Sequence, residues 1–272
     1  MNDATGRFGR LRGFSPAAIL LLATPLLAAC DPICGVVNSW SACYPDIHGD
    51  DASAVHSEID EPPAAEHVDA VERARQVVRA LVVEENLPGL SLAVGIAGDI
   101  VWAEGFGWAD IEERRQVTPT TLFRVGGVAK PMTAAAVGVL HERGLLDLDA
   151  PVRDYVPGFP EKEWSVTTRQ LMGHVAGVRH PPFDEELLYM RDHCESPLDG
   201  LELFADDPLL FAPGTRYRHS AYGWTLVGAV VEAAAGEPFL DVMQREVYDP
   251  SEMQDTVFDD VLRPAAERTH FY

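Results

Sequence analysis

"LSLAVGIAGDIVWAEGFGWAD", residues 90–110, decides the fold class. It reads as two strands joined at "AGD", residues 97–99. A short Gly-containing turn between two β-rich runs predicts an antiparallel hairpin. Trp102, Phe106 and Trp108 are then core or sheet-face residues rather than a binding platform. On the N-terminal side, "HVDAVERARQVVRALVVEEN" sets Val68, Val71, Ala74, Val78 and Leu81 on one helical stripe. Pro88 and Gly89 end that helix. On the other side, the loop "TPTTLFRVGG" leads into a helix predicted over residues 128–143. Met132, Ala135, Ala136, Val139 and Leu140 form its expected buried face, and Gly144 is a C-terminal stop.

"LLDLDAPVRDYVPGFP" is too rich in proline and acid for regular structure. Thr residues open "TTRQLMGHVAGV" as the cap of a short helix. A long helix is expected over residues 222–235, with Gly236 after it, and another over "PFLDVMQREVY". No internal repeat is visible. A hairpin followed by several helices predicts an α+β fold.

The 272 residues carry 43 acidic and 21 basic side chains, a formal charge of -22. Phosphate backbones are bound through basic patches, so nucleic acid is excluded as the expected partner. Such a charge also keeps a protein soluble. Lys130 and Lys162 are the only lysines.

Residues 1–29 have the features of a signal peptide. Arg7, Arg10 and Arg12 precede "AAILLLATPLLAA", an apolar stretch too short to span a bilayer. It ends at "LAAC", residues 27–30, small residues before a cysteine that resemble a bacterial lipobox. Cys30 is the expected lipidation site, giving an exported protein held to the membrane by lipid. Ordinary cleavage nearby is the plainer alternative. Cys34 and Cys43 are close enough in sequence to pair in an oxidising compartment, which leaves Cys194 outside that pair. Residues 30–65 are expected to form an acidic tether without apolar period. An ordered domain is expected over residues 66–272.

Lys130 opens the chemistry. A lysine three residues after a serine, at a helix start, can act as that serine's base. Its ordinary pKa of roughly 10.4 must fall a long way, and the positive end of the helix helps. The serine then attacks a carbonyl and forms an acyl-enzyme. Here the S-x-x-K positions read Gly127-Val128-Ala129-Lys130, and glycine has no hydroxyl. Phe159 stands three residues before Lys162, so the chain contains no S-x-x-K or T-x-x-K. Ser91 in "GLSLA" lacks the second glycine of a nucleophile elbow and opens a strand. Ser220 is the best remaining nucleophile, next to His219. His174, His180 and His193 have no metal-ligand spacing and are expected to be capping or surface residues. No metal and no cofactor are expected.

The chain resembles the serine beta-lactamases and penicillin-binding proteins from about Leu87 to Tyr272. The likeness runs in order through "LPGLSLAVGIAGDIVWAEGFGWAD", "LFRVGGVAKPMTA", "GLLDLDAPVRDYVPGFPEKEWSVTTRQLMGHVAGVRH", "FAPGTRYRHSAYGWTLVGAVVE" and "ERTHFY". It implies a beta-lactamase/DD-peptidase-like antiparallel sheet flanked by helices, with a helical region inserted. It also implies a serine and lysine on one helix, and a tyrosine in a Tyr-Ser-Asn-like turn. A late strand with a Lys-Thr-Gly-like motif should supply an oxyanion-hole N–H.

The chain departs at each part. Gly127 takes the serine position, His219 the tyrosine position and Ala221 the third place of the turn. The sequence stops before the late strands, so a truncated reading or cover by self-association is expected. Lys130 and Ser220 keep the family's residues. The expectation is a catalytically impaired member that binds or scaffolds. Cell-wall peptide, or a small amide or ester, is the expected ligand. The alternative is an active serine hydrolase using another nucleophile.

Overall fold

Ala97 and Gly98 both have positive φ, 53° and 97°, and close a two-residue hairpin turn. That geometry matches the twist of the strands it joins. The computed structural model describes residues 46–182, 194–259 and 268–269. They fall in two units, Met1–Thr121 with Glu267–Tyr272, and Leu122–Ala266. The signal stretch, Cys30, Cys34, Cys43 and His193 lie outside the described residues.

In the first unit β1 (Ser57–Ile59), β2 (Gly89–Ile96), β3 (Asp99–Asp110) and β4 (Arg115–Gln116) form an antiparallel sheet. β3 is the centre: it pairs with β2 from Ile96↔Asp99 to Gly89↔Gly107, and with β1 from Ser57↔Phe106 to Ile59↔Glu104. β4 pairs with the far end of β3. Gly105 is required there. A Cβ on it would lie 2.4 Å from the Val117 carbonyl oxygen, where the chain crosses back over the strand.

Helix α1 (Val68–Glu84) packs on the sheet through Val71, Val78 and Val82, which share a core with Val55, Trp102 and Phe106. The expected stripe is partly corrected, because Val68 and Leu81 are exposed. At about 100° per residue Leu81 lies roughly 80° round the helix from Val71, whereas Val82 returns to within about 20°.

Residues 46–59 correct the expected tether. They include β1, a 3-10 turn at Ala52–Ala54 and the buried Val55. The Ile47 N–H donates to Asn86 Oδ1 at 2.9 Å, and His48 Nε2 meets the Leu87 carbonyl at 2.6 Å. A three-residue strand is too short to show a period; main-chain bonds to β3 hold it.

The second unit is helical. A 3-10 turn at Gly126–Val128 feeds α2 (Ala129–Glu142). Next come α3 (Thr168–Met172), α4 (Ala221–Ala235) and α5 (Phe239–Met243). Apolar nearly all round, α4 is the core helix, as such a pattern requires; Leu226, Val227, Val230 and Val231 have no exposed surface. Helix α2 buries Thr133, Ala136, Val137 and Leu140, while Ala135 faces outward. Its buried face is thus turned from the expected one toward α4. Gly144, at φ 72°, ends α2, with the Leu145 N–H bonded back to the Leu140 carbonyl. After α5 the chain widens into a π turn at Gln244–Tyr248 instead of continuing as the expected single helix. Among the described residues no helix is long and apolar enough to cross a membrane.

Candidate active site

Three residues of helical advance bring positions 127 and 130 onto one side of the α2 entry. A Cβ built on Gly127 would lie 3.3 Å from Lys130 Nζ. A hydroxyl on that carbon would therefore be within hydrogen-bonding reach of the amine. Lys130 is half-buried and forms no hydrogen bond or ion pair among the described residues. Lys162, in contrast, donates to the carbonyls of Ala205 and Asp207, and burial lowers its basicity.

The other wall of the site is knitted from two loops. Thr167 caps α3 with a full capping box shared with Gln170. After Gly173, His174 takes a left-handed φ of 58°, which turns the chain toward residues 210–221. The Arg218 N–H donates to the His174 carbonyl at 2.9 Å, the Gly214 N–H to Val175 at 2.8 Å and the Leu210 N–H to Gly177 at 2.8 Å. Side chains complete the join. The Ser220 N–H donates to His174 Nδ1 at 3.1 Å, and the Ala221 N–H donates to His180 Nδ1 at 3.2 Å.

These bonds bring three histidines together. The His219 ring lies 4.5 Å from that of His174 and 5.0 Å from that of His180, centroid to centroid. Burial pushes the His174 pKa below its ordinary value, and the neighbouring His219, Lys130 and His180 act in the same direction. An Nδ1 that accepts a backbone N–H leaves the proton of a neutral imidazole on Nε2, and His174 and His180 both accept in this way. Neither nitrogen is then left to ligate a metal, and among the described residues no cluster suits one. The capping expected for His174 and His180 is what these bonds are. The convergence of both on His219 was not readable, since it depends on the loop closure at Gly177, φ 81°.

Ser220 is 3% exposed. Its hydroxyl donates to the Arg179 carbonyl at 2.6 Å and accepts the Gly223 N–H at 2.9 Å, capping α4. That is the bonding of a helix cap, and it leaves no proton path to a base. Ser220→Ala is expected to lower stability by about 1–2 kcal/mol, the worth of a cap with a buried partner. Denaturant unfolding checks this; a loss under about 0.5 kcal/mol would contradict the capping role. Ser91 lies within β2, opposite Gly105. Ala221 contributes only its N–H.

The sequence model of the beta-lactamase family matches residues 74–272. The chain is 32% identical to the serine beta-lactamase-like protein LACTB, mitochondrial, of Mus musculus, over 78% of this chain and 52% of that protein. It is 33% identical to the esterase EstB of Burkholderia gladioli, over 64% of this chain and 48% of that protein. The octameric penicillin-binding protein homologue from Pyrococcus abyssi superposes at a TM-score of 0.59, with 27% identity, covering 68% of this chain and 43% of that one. The chain spans about half the length of the curated relatives it matches. The likeness bears out the expected beta-lactamase/DD-peptidase fold, with an antiparallel sheet and flanking helices.

Proposed function

Because the chain belongs to the beta-lactamase family, we propose that it is a catalytically impaired member that binds cell-wall peptide, or a small amide or ester, without cleaving it. One observation carries this reading: Lys130 Nζ stands 3.3 Å from the place of a side chain that Gly127 does not have. A base is positioned and its nucleophile is missing. A hydrolase working through Ser220 is disfavoured, since that hydroxyl is spent on the α4 cap. The test is incubation of the purified protein with a fluorescent penicillin and with an activated ester. No covalent label is expected. Labelling that disappears in Lys130→Met would overturn the proposal.

The proposal extends to location. "LAAC" at residues 27–30 supports an exported lipoprotein anchored through Cys30. Two signals are usually needed for firm anchoring, and a diacylated cysteine supplies two chains. The protein is expected in the detergent phase on partition, with Cys30→Ala moving it to the aqueous phase. A wild-type protein already in the aqueous phase would rule out the anchor.

A further inference from the structure

Two imidazoles hold the start of α4 by accepting hydrogen bonds, not by donating them. The Ser220 N–H donates to His174 Nδ1 at 3.1 Å, and the Ala221 N–H donates to His180 Nδ1 at 3.2 Å. A backbone N–H can only donate, so each Nδ1 must keep a lone pair, which an imidazolium lacks. His141 and His48 are bonded the opposite way. His141 Nδ1 meets the Leu146 carbonyl at 2.8 Å and His48 Nε2 meets the Leu87 carbonyl at 2.6 Å, contacts that protonation preserves. The surroundings of the accepting pair oppose a proton. Ser220 caps α4, a helix of 15 residues, so both rings sit at the positive end of its dipole. The His219 ring lies 4.5 Å from that of His174 and 5.0 Å from that of His180, so a proton on one ring disfavours a second. Burial lowers the His174 pKa most, and His219, Lys130 and His180 lower it further. The rings of Tyr217 and Trp224 pack beside it at 5.9 and 6.3 Å. Next to His180 in sequence, Arg179 is paired with Asp207.

We infer that His174 and His180 form an acid-released latch: neutral, they bind the backbone of residues 220–221 to the 174–180 loop, and protonation of either ring withdraws its acceptor and frees the amide it holds. The release is local. The Arg218 N–H on the His174 carbonyl and the Ser220 hydroxyl on the Arg179 carbonyl do not titrate, and Leu226, Val227 and Val230 stay buried in the core. Acid therefore loosens the turn at 219–221, the place of the family's tyrosine turn, without unfolding α4. The fold holds the neutral rings, so their contribution is complete above the unfolded histidine value of about 6.5 and is lost as pH falls below it. For His174 the release is centred below that value, in the direction set by its burial. The inference stands on these bonds and not on the proposed function.

Hydrogen exchange of the full chain at pH 7.5 and 5, read amide by amide by NMR and corrected for the intrinsic pH dependence of exchange, tests the latch. Carboxyl groups, ordinarily at about 4, are largely ionised at both. Protection of the Ser220 and Ala221 amides is expected to fall about tenfold or more between the two, as the loss of a hydrogen bond does. Leu226 and Val230 should be unchanged. Asparagine supplies the control. Its Oδ1 accepts as Nδ1 does and does not titrate, and asparagine tolerates the left-handed φ of 58° at residue 174. His174→Asn combined with His180→Asn should keep both amides protected at both pH values. Protection that does not change in the wild type, that falls equally in the double variant, or that falls equally at Leu226 overturns the inference. If the double variant does not fold, imidazole 15N shifts of the wild type decide it. The Nδ1 of His174 or His180 and the amide it holds must then titrate with one midpoint; different midpoints also overturn the inference.

Discussion

Gly127→Ser should give a protein labelled covalently, one label per chain, by a fluorescent penicillin or an activated ester. Space and backbone both permit the change. The new Cβ meets only Lys130 Nζ at 3.3 Å, the mobile end of a long side chain that can give by a few tenths of an ångström. Gly127 does not have a left-handed φ, unlike its neighbour Gly126 at 49°. The serine Oγ would attack the carbonyl carbon and pass its proton to Lys130 as the C–O or C–N bond to the leaving group breaks. General-base help of this kind contributes on the order of 10²–10⁴-fold. The expected result is a time-dependent approach to full labelling. Gly127→Ser with Lys130→Met should remain unlabelled. A folded Gly127→Ser protein that takes no label from either probe would show that residues 127 and 130 do not form a nucleophile–base pair.

The features legible in the sequence are those set by neighbouring residues. Thr167 is a polar side chain at the start of a short helix and caps it, as expected; Ser220, read from the sequence as a candidate nucleophile, caps α4 in the same way. Gly144 and Gly236 stop their helices because each must take positive φ. The hairpin at Ala97–Gly98 is equally local. The unread features depend on residues far apart. β1 exists because β3 offers it a free edge, which nothing within residues 57–59 announces. The buried face of α2 follows α4, about 90 residues away in sequence. At the site, the 127–130 spacing was visible because one helical turn creates it. The meeting of His174 and His180 with His219 was not, because two loops 40 residues apart must close on each other.

Glu104→Gln is expected to cost about 3 kcal/mol of stability at pH 7, the lower end for breaking a buried ion pair. Glu104 is 1% exposed in the middle of β3. Arg75 of α1 donates its Nε–H toward both carboxylate oxygens at 2.8 and 2.9 Å, and Trp102 Nε1 donates at 2.8 Å. Ser57 of β1 adds a side-chain bond, and Arg79 Nη2 holds Ser57 Oγ at 2.8 Å. One carboxylate thus ties α1, β1 and β3 together. Glutamine would turn an N–H₂ donor toward these donors and leave Arg75 with Glu72 alone. The side chain of Arg75 is 19% exposed, so water softens the loss and keeps the cost near the lower end. The same network fixes a pH dependence. Burial by itself would raise the Glu104 pKa, but the bonds from Arg75, Ser57 and Trp102 outweigh it and hold the group below 4.5. A carboxyl depressed in the folded state contributes its stability above the unfolded value and loses it as pH falls through the folded one. The difference in stability between wild type and Glu104→Gln should therefore be constant from pH 7 down to about 5 and shrink below 4.5. Taking the difference removes the contribution of the other carboxyl groups. Urea midpoints at pH 7, 5 and 3.5 measure it. A variant within about 0.5 kcal/mol of wild type at pH 7, or a gap that does not narrow in acid, would show that the Glu104–Arg75 pair does not hold β1 and α1 to the sheet.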